Sequence, residues 1–160
     1  ILAEAENANP LYLSYLDKFK TFEPVKAKNT LASAIQIGNP VSRFKAIKAL
    51  QEFNGVVEQA SEEELANASA FFDKSGMFTC PHTGVALGVL NKLVKQQKIE
   101  PQAEVVVIST AHGLKFADFK VRYHEKKLDT IFSKYANSPI EMEADAKKVA
   151  QVLYQKLKNK

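Results

Sequence analysis

Four consecutive β-branched residues, Val105, Val106, Val107 and Ile108, lie between segments of helical periodicity. Such side chains are stiff at χ1 and fit a pleated surface. A run without polar alternation suits a strand covered on both faces, as in a parallel sheet. It predicts a buried strand over 104–109. The chain has 160 residues, enough for one domain, or one piece of a larger protein, with a sizeable core.

The remaining punctuation agrees with alternating strands and helices. Residues 1–5 read as the end of a strand, and Pro10 suits the first turn of a short helix carrying Leu11, Tyr12, Tyr15 and Leu16. A helix is expected over 41–53, with Phe44, Ile47, Ala49 and Leu50 on its apolar side and Gly55 as a left-handed end. Val56 and Val57 open a strand. Ser61 and Glu64 have capping-box spacing ahead of a helix carrying Leu65, Ala68, Phe71 and Phe72. Short strands are expected over 77–79 and 140–143. Helices are expected over 83–97, with Ala86, Val89, Leu90, Leu93 and Val94 inward, near 116–124, and after an Asp145 cap. The fold class is α/β, a mostly parallel sheet with flanking helices. Ligands of open α/β sheets collect beyond the carboxyl ends of strands, so the loops 80–84 and 110–113 become the candidate sites.

Composition excludes several classes. One cysteine leaves no internal disulfide framework and no multi-cysteine zinc site. No apolar run approaches the roughly 20 residues that span a bilayer, so no membrane association is expected. The net charge of +4 is uneven: residues 1–114 hold 11 basic and 12 acidic side chains, residues 115–160 hold 11 and 6. Acidic residues interrupt the basic excess throughout, which reads as a solvated surface, and no nucleic-acid partner is expected. The chain opens at Ile1, inside a strand pattern, without an initiator Met or a secretory signal. Its natural beginning is expected upstream.

Three short stretches carry chemistry-bearing residues. Thr110-Ala111-His112-Gly113 follows the β-branched run; its threonine is a hydroxyl donor or acceptor, and also a natural cap. Cys80-Pro81-His82-Thr83-Gly84 sets a thiol and an imidazole two residues apart. Residues at that separation do not face each other on a helix. A buried cysteine in an N-capping segment therefore accounts for the stretch better than a Cys/His nucleophile pair does. Neither HExxH nor CxxC occurs, so no metal is expected. No two of the six glycines are adjacent, and neither GxGxxG nor GxxxxGK[ST] occurs. The carboxylates Glu62, Glu63 and Glu64 occupy a first helical turn, where the helix dipole favours anions.

Taken together and in order, three stretches resemble the threonine synthases, pyridoxal-phosphate enzymes of the tryptophan-synthase β-like fold (fold type II). These are 30–40 (TLASAIQIGNP), 76–84 (GMFTCPHTG) and 109–115 (STAHGLK); Asn7-Ala8-Asn9-Pro10-Leu11-Tyr12 is also similar. The Cys80-to-Gly84 variant resembles the branch of plants and some bacteria; other members carry a Glu-Pro-Ala-Ser type sequence there. The likeness covers nearly the whole chain and thins after about His124.

The resemblance implies that Thr110 hydrogen-bonds the pyridine nitrogen of pyridoxal 5'-phosphate. Ser109 and Ala111 flank that contact, Ala34 and Ile35 run near the ring, and His112 is orienting or structural. It implies conversion of O-phospho-L-homoserine and water to L-threonine and phosphate by elimination and addition. It implies a homodimer for the full-length enzyme, in the cytoplasm, or in a plastid in a plant. The family's Schiff-base lysine and phosphate-cradling loop lie upstream of the Asn-Pro-Leu-Tyr stretch, and Lys115 does not match that lysine. The 160 residues are therefore expected to be the C-terminal portion of such an enzyme, inactive alone. Two other readings stay open: another fold-type II lyase such as a serine or threonine dehydratase, and a non-enzymatic α/β binding module.

Overall fold

The computed structural model describes residues 1–158. Two short strands pair in parallel: β1 (Leu2–Ala5) and β2 (Val57–Ala60), in the register Leu2↔Val57 to Ala5↔Ala60. Parallel neighbours need a crossover, and here it contains α1 (Pro10–Leu16) and α2 (Arg43–Glu52). Pro10 takes the first turn of α1, where its missing N–H is not needed.

Beyond β2 the chain enters α3 (Glu62–Asp73) through a complete capping box. Glu64 N–H donates to the Ser61 hydroxyl, and Ser61 N–H donates to the Glu64 carboxylate. Next comes α4 (Pro81–Lys95), which packs on α3 and against both strands. Small residues set that close approach. A Cβ on Gly84 would lie 2.5 Å from the Leu65 carbonyl oxygen, and one on Gly88 would lie 3.2 Å from Ala60 Cβ. The core forms around Ala5, Ala60, Leu65, Val85, Val89 and Leu93. Last come α5 (Ala117–His124), which closes the core with Phe119 and Tyr123, and α6 (Ala146–Lys158). No helix among the described residues is long and apolar enough to cross a membrane.

The structure is α/β, but its sheet is smaller than the sequence pattern predicts. The β-branched run over 104–109 forms no ladder. A strand requires a neighbour's N–H and C=O groups, and among the described residues none pairs with this segment. Val106 is 91% exposed and Ile108 77%. Residues 140–143 are likewise irregular, and 77–79 contributes only one antiparallel bridge, Thr79↔His112. On α2 the inward side is Ala46, Ile47 and Leu50; Phe44 points outward, where the Arg43 guanidinium lies 4.5 Å from its ring. Asn54, not Gly55, takes the left-handed position after α2, at φ 48°. Asparagine tolerates that region because its short polar side chain bonds locally. Helix α4 starts two residues earlier than expected, because Cys80 caps it and Pro81 enters its first turn. Val94 then turns outward. Asp145 does cap α6, accepting from Lys148 N–H at 2.8 Å.

Candidate cofactor site

The first turn of α4 gathers the sequence-predicted residues. Cys80 is its N-cap, with the sulfur accepting from Thr83 N–H at 3.4 Å. The same sulfur lies 3.2 Å from the Thr83 hydroxyl. Thr83 is buried, and its hydroxyl oxygen is 3.1 Å from that of Ser109. One residue before it, His82 Nε2 accepts from Ala34 N–H at 2.9 Å. Ala34 belongs to a 3-10 turn, Ser33–Ile35. Two segments remote in sequence, 33–35 and 109–113, are thus tied to one helical turn.

The turn at 109–113 has a second anchor. Gly113 N–H donates to the Phe78 carbonyl at 2.8 Å, and a Cβ on Gly113 would sit 2.8 Å from the Phe78 ring. His112 is a cap: its Nδ1 accepts from Leu114 N–H, opening the 3-10 turn Gly113–Phe116. Between the anchors stand Ser109, Thr110 and Ala111. Thr110 is exposed, as is Ala34, while Ile35 and Ala111 are half-buried.

This donor set suits an aromatic nitrogen heterocycle. A neutral hydroxyl can donate to a bare ring nitrogen or accept from a protonated one, whereas an ionised carboxylate can only accept. The Thr110 hydroxyl is chemically suited to the ring nitrogen of pyridoxal phosphate.

Electrostatics at the helix start separate the cysteine from the histidine. Burial pushes the Cys80 thiol up, but hydrogen bonding with Thr83 and with the Thr110 hydroxyl outweighs it, and the net shift is downward. Burial lowers His82, which favours the neutral ring that accepts from Ala34. The His82 ring also packs edge-on against Phe116, with centroids 5.0 Å apart. The sulfur faces Thr83 while the imidazole nitrogen faces Ala34, so the two form no nucleophile–base pair. Among the described residues no cluster of three or more His, Cys, Asp or Glu could hold a metal.

Sequence reasoning missed the buried cation beneath this turn. Lys120 Nζ lies 2.5 Å from Asp73 and 2.7 Å from the Ser69 hydroxyl. Asp73 in turn accepts from Thr79 N–H at 2.9 Å. The network fixes the segment leading into Cys80. Its partners are 47 residues apart, with no local signature. Thr83 was missed too; its position as third residue of a helix opened by Cys80-Pro81 was the available signal. A hollow of about 800 Å³ lies elsewhere, lined by Gln59, Asn67, Lys92 and Tyr135 among others. Lys92 is there paired with Glu64 at 3.0 Å.

Residues 1–111 match the family described as "Pyridoxal-phosphate dependent enzyme". Among curated proteins, "Threonine synthase 2, chloroplastic" of Arabidopsis thaliana is 51% identical over 160 residues, covering 99% of this chain and 31% of the relative. "Threonine synthase" of Methanocaldococcus jannaschii is 30% identical over 151 residues, covering 94% of this chain and 34% of the relative. "Threonine synthase" of Bacillus sp. (strain ULM1) is 30% identical over 108 residues, covering 67% and 31%. The chain spans about a third of the length of the curated relatives it matches.

Proposed function

The chain belongs to the pyridoxal-phosphate-dependent enzyme family, and on that premise we propose that it forms one wall of a threonine synthase active site. The whole protein converts O-phospho-L-homoserine and water to L-threonine and phosphate. The observation that carries this reading is the 51% identity, maintained over 99% of the chain, to a plant protein of that name. That match runs through the 33–35 turn, the start of α4 and the 109–113 turn, the same three segments that hydrogen bonds draw together.

In this reading the Thr110 hydroxyl meets the pyridine nitrogen, with Ser109 and Ala111 beside it. Ala34 and Ile35 lie near the ring. When bound, the cofactor supplies an electron sink for carbanion chemistry on the substrate. This chain's residues fix the ring edge. The lysine that holds the cofactor covalently comes from outside these 160 residues. Lys120 is committed to Asp73 and Ser69, and Lys115 is exposed on the 3-10 turn that follows His112. The chain is the C-terminal part of the enzyme, belonging to its large-domain sheet and helices. The full-length protein is a homodimer in the cytoplasm, or in the plastid in a plant source.

The test is phosphate release from O-phospho-L-homoserine with added cofactor. The full-length protein should release phosphate and form threonine, and the 160 residues alone should do neither. Turnover by the isolated chain, or deamination of serine or threonine in its place by the full-length protein, would overturn the reading.

A further inference from the structure

We propose that Thr83 is a positioning residue for the cofactor's ring nitrogen, acting through the turn that presents Thr110. The inference rests on the reading that Thr110 meets that nitrogen. Thr83 is 3% exposed, and its hydroxyl bridges a thiol and a hydroxyl: Cys80 Sγ at 3.2 Å and Ser109 Oγ at 3.1 Å. A hydroxyl has one proton and two lone pairs, so a chain of three such groups has only a few consistent proton arrangements. Thr83 therefore sets the orientation of Ser109, and with it the backbone from which Thr110 projects.

The turn has two sets of anchors. One is the Thr83–Ser109 bond. The other is the Phe78–Gly113 bond with the Thr79–His112 bridge. Thr110 lies between them. Removing the Thr83 hydroxyl takes away the Ser109 anchor and leaves Thr110 to its own contact with the Cys80 thiol, so Thr110 Oγ1 shifts from the line of the ring nitrogen. It also removes one of the two hydroxyls beside the buried Cys80 sulfur and leaves that of Thr110. The rest of α4 is unaffected, because Thr83 N–H still donates to the sulfur and the helix keeps its cap.

The experiment uses the cofactor-loaded full-length protein, with the cofactor labelled with nitrogen-15 at the ring nitrogen. Thr83→Val keeps the shape and removes the hydroxyl; Thr83→Ser keeps the hydroxyl. Thr83→Val should move the ring-nitrogen chemical shift and weaken cofactor binding about threefold to tenfold, the equivalent of one hydrogen bond. Thr83→Ser should restore both. An unmoved shift in Thr83→Val, or no restoration in Thr83→Ser, overturns the inference. Thr110→Val separates it from the reading beneath. If Thr110→Val moves the shift and Thr83→Val does not, only the positioning role fails; if Thr110→Val leaves the shift unmoved, the Thr110 contact itself fails. Should Thr83→Val not fold, Ser109→Ala breaks the same bridge from the exposed side. It should move the shift in the same direction, and an unmoved shift again overturns the inference.

Discussion

His82 Nε2 accepts a hydrogen bond from the backbone N–H of Ala34, 48 residues earlier in the chain. The bond exists only while that nitrogen carries no proton. Burial lowers the His82 pKa from its ordinary 6.5. Between the folded value and 6.5 the unfolded chain binds the extra proton, so stability falls with falling pH in that window. The contribution is fully present above 6.5 and lost as pH drops through the lower folded value. The Ala34 amide should lose hydrogen-exchange protection over the same range, after correction for its intrinsic rate. In His82→Leu that protection should be low at every pH, with a stability loss of about 1 kcal/mol. Unchanged protection of Ala34 in His82→Leu would show that the bond holds nothing.

The buried pair Lys120–Asp73 predicts strong coupling. Removing one partner leaves the other charge without compensation, at a cost of about 3 kcal/mol or more. Lys120→Met and Asp73→Asn should each destabilise by that order. The double variant should be more stable than the sum of the two changes predicts, because no orphaned charge remains. Urea unfolding of all four proteins completes the cycle. Additivity within about 0.5 kcal/mol would contradict the pairing.

Two glycines of α4 predict different outcomes for the same substitution. Alanine is favoured over glycine within a helix by roughly 1 kcal/mol. At Gly88 a methyl group would meet Ala60 Cβ at 3.2 Å, a contact that a small shift relieves. At Gly84 it would meet the Leu65 carbonyl oxygen at 2.5 Å, and backbone does not yield cheaply. Gly88→Ala should therefore change stability by less than about 1 kcal/mol, and Gly84→Ala should cost about 1–3 kcal/mol. Equal denaturation midpoints for the two variants would refute this account of the α3–α4 contact.

Local signals in the sequence were reliable where the residue and its partner are neighbours. The Ser61–Glu64 capping box, Pro10 at a helix start and Asp145 ahead of α6 were all legible, because each involves residues within one turn. The start of α4 is legible only in part: 80–84 reads as an N-capping segment with a buried cysteine, but the helix is expected only from 83, beyond Pro81. The strand over 104–109 was legible as composition but not as structure. β-branching states a preference, and pairing requires a neighbour that the described residues do not offer. Least legible were the ties His82–Ala34, Thr83–Ser109 and Lys120–Asp73, separated by 48, 26 and 47 residues. The resemblance of three motifs pointed to the same neighbourhood without indicating which side chains join them.

Glu4 gives a prediction of opposite pH sense to that of His82. It sits on β1 and accepts from Tyr12 N–H at 2.7 Å and from Leu11 N–H at 3.4 Å, closing the start of α1. Burial raises its carboxyl from 4.5 to about 7, and the two N–H donors only partly oppose that rise. Between these values the folded chain holds a proton that the unfolded chain has released. Stability therefore falls as pH rises from 4.5 to about 7, then levels off. Glu4→Gln keeps the shape and an acceptor oxygen for Tyr12 while removing the titration. It should match the unsubstituted chain near pH 4 and exceed it near pH 8 by roughly 2 kcal/mol, the full shift being discounted for residual solvent contact. The difference between the two stability curves cancels His82 and every other titrating group. A difference that stays flat from about pH 4 to about pH 8 would mean that Glu4 ionises alike in the folded and unfolded chain and that burial does not govern it.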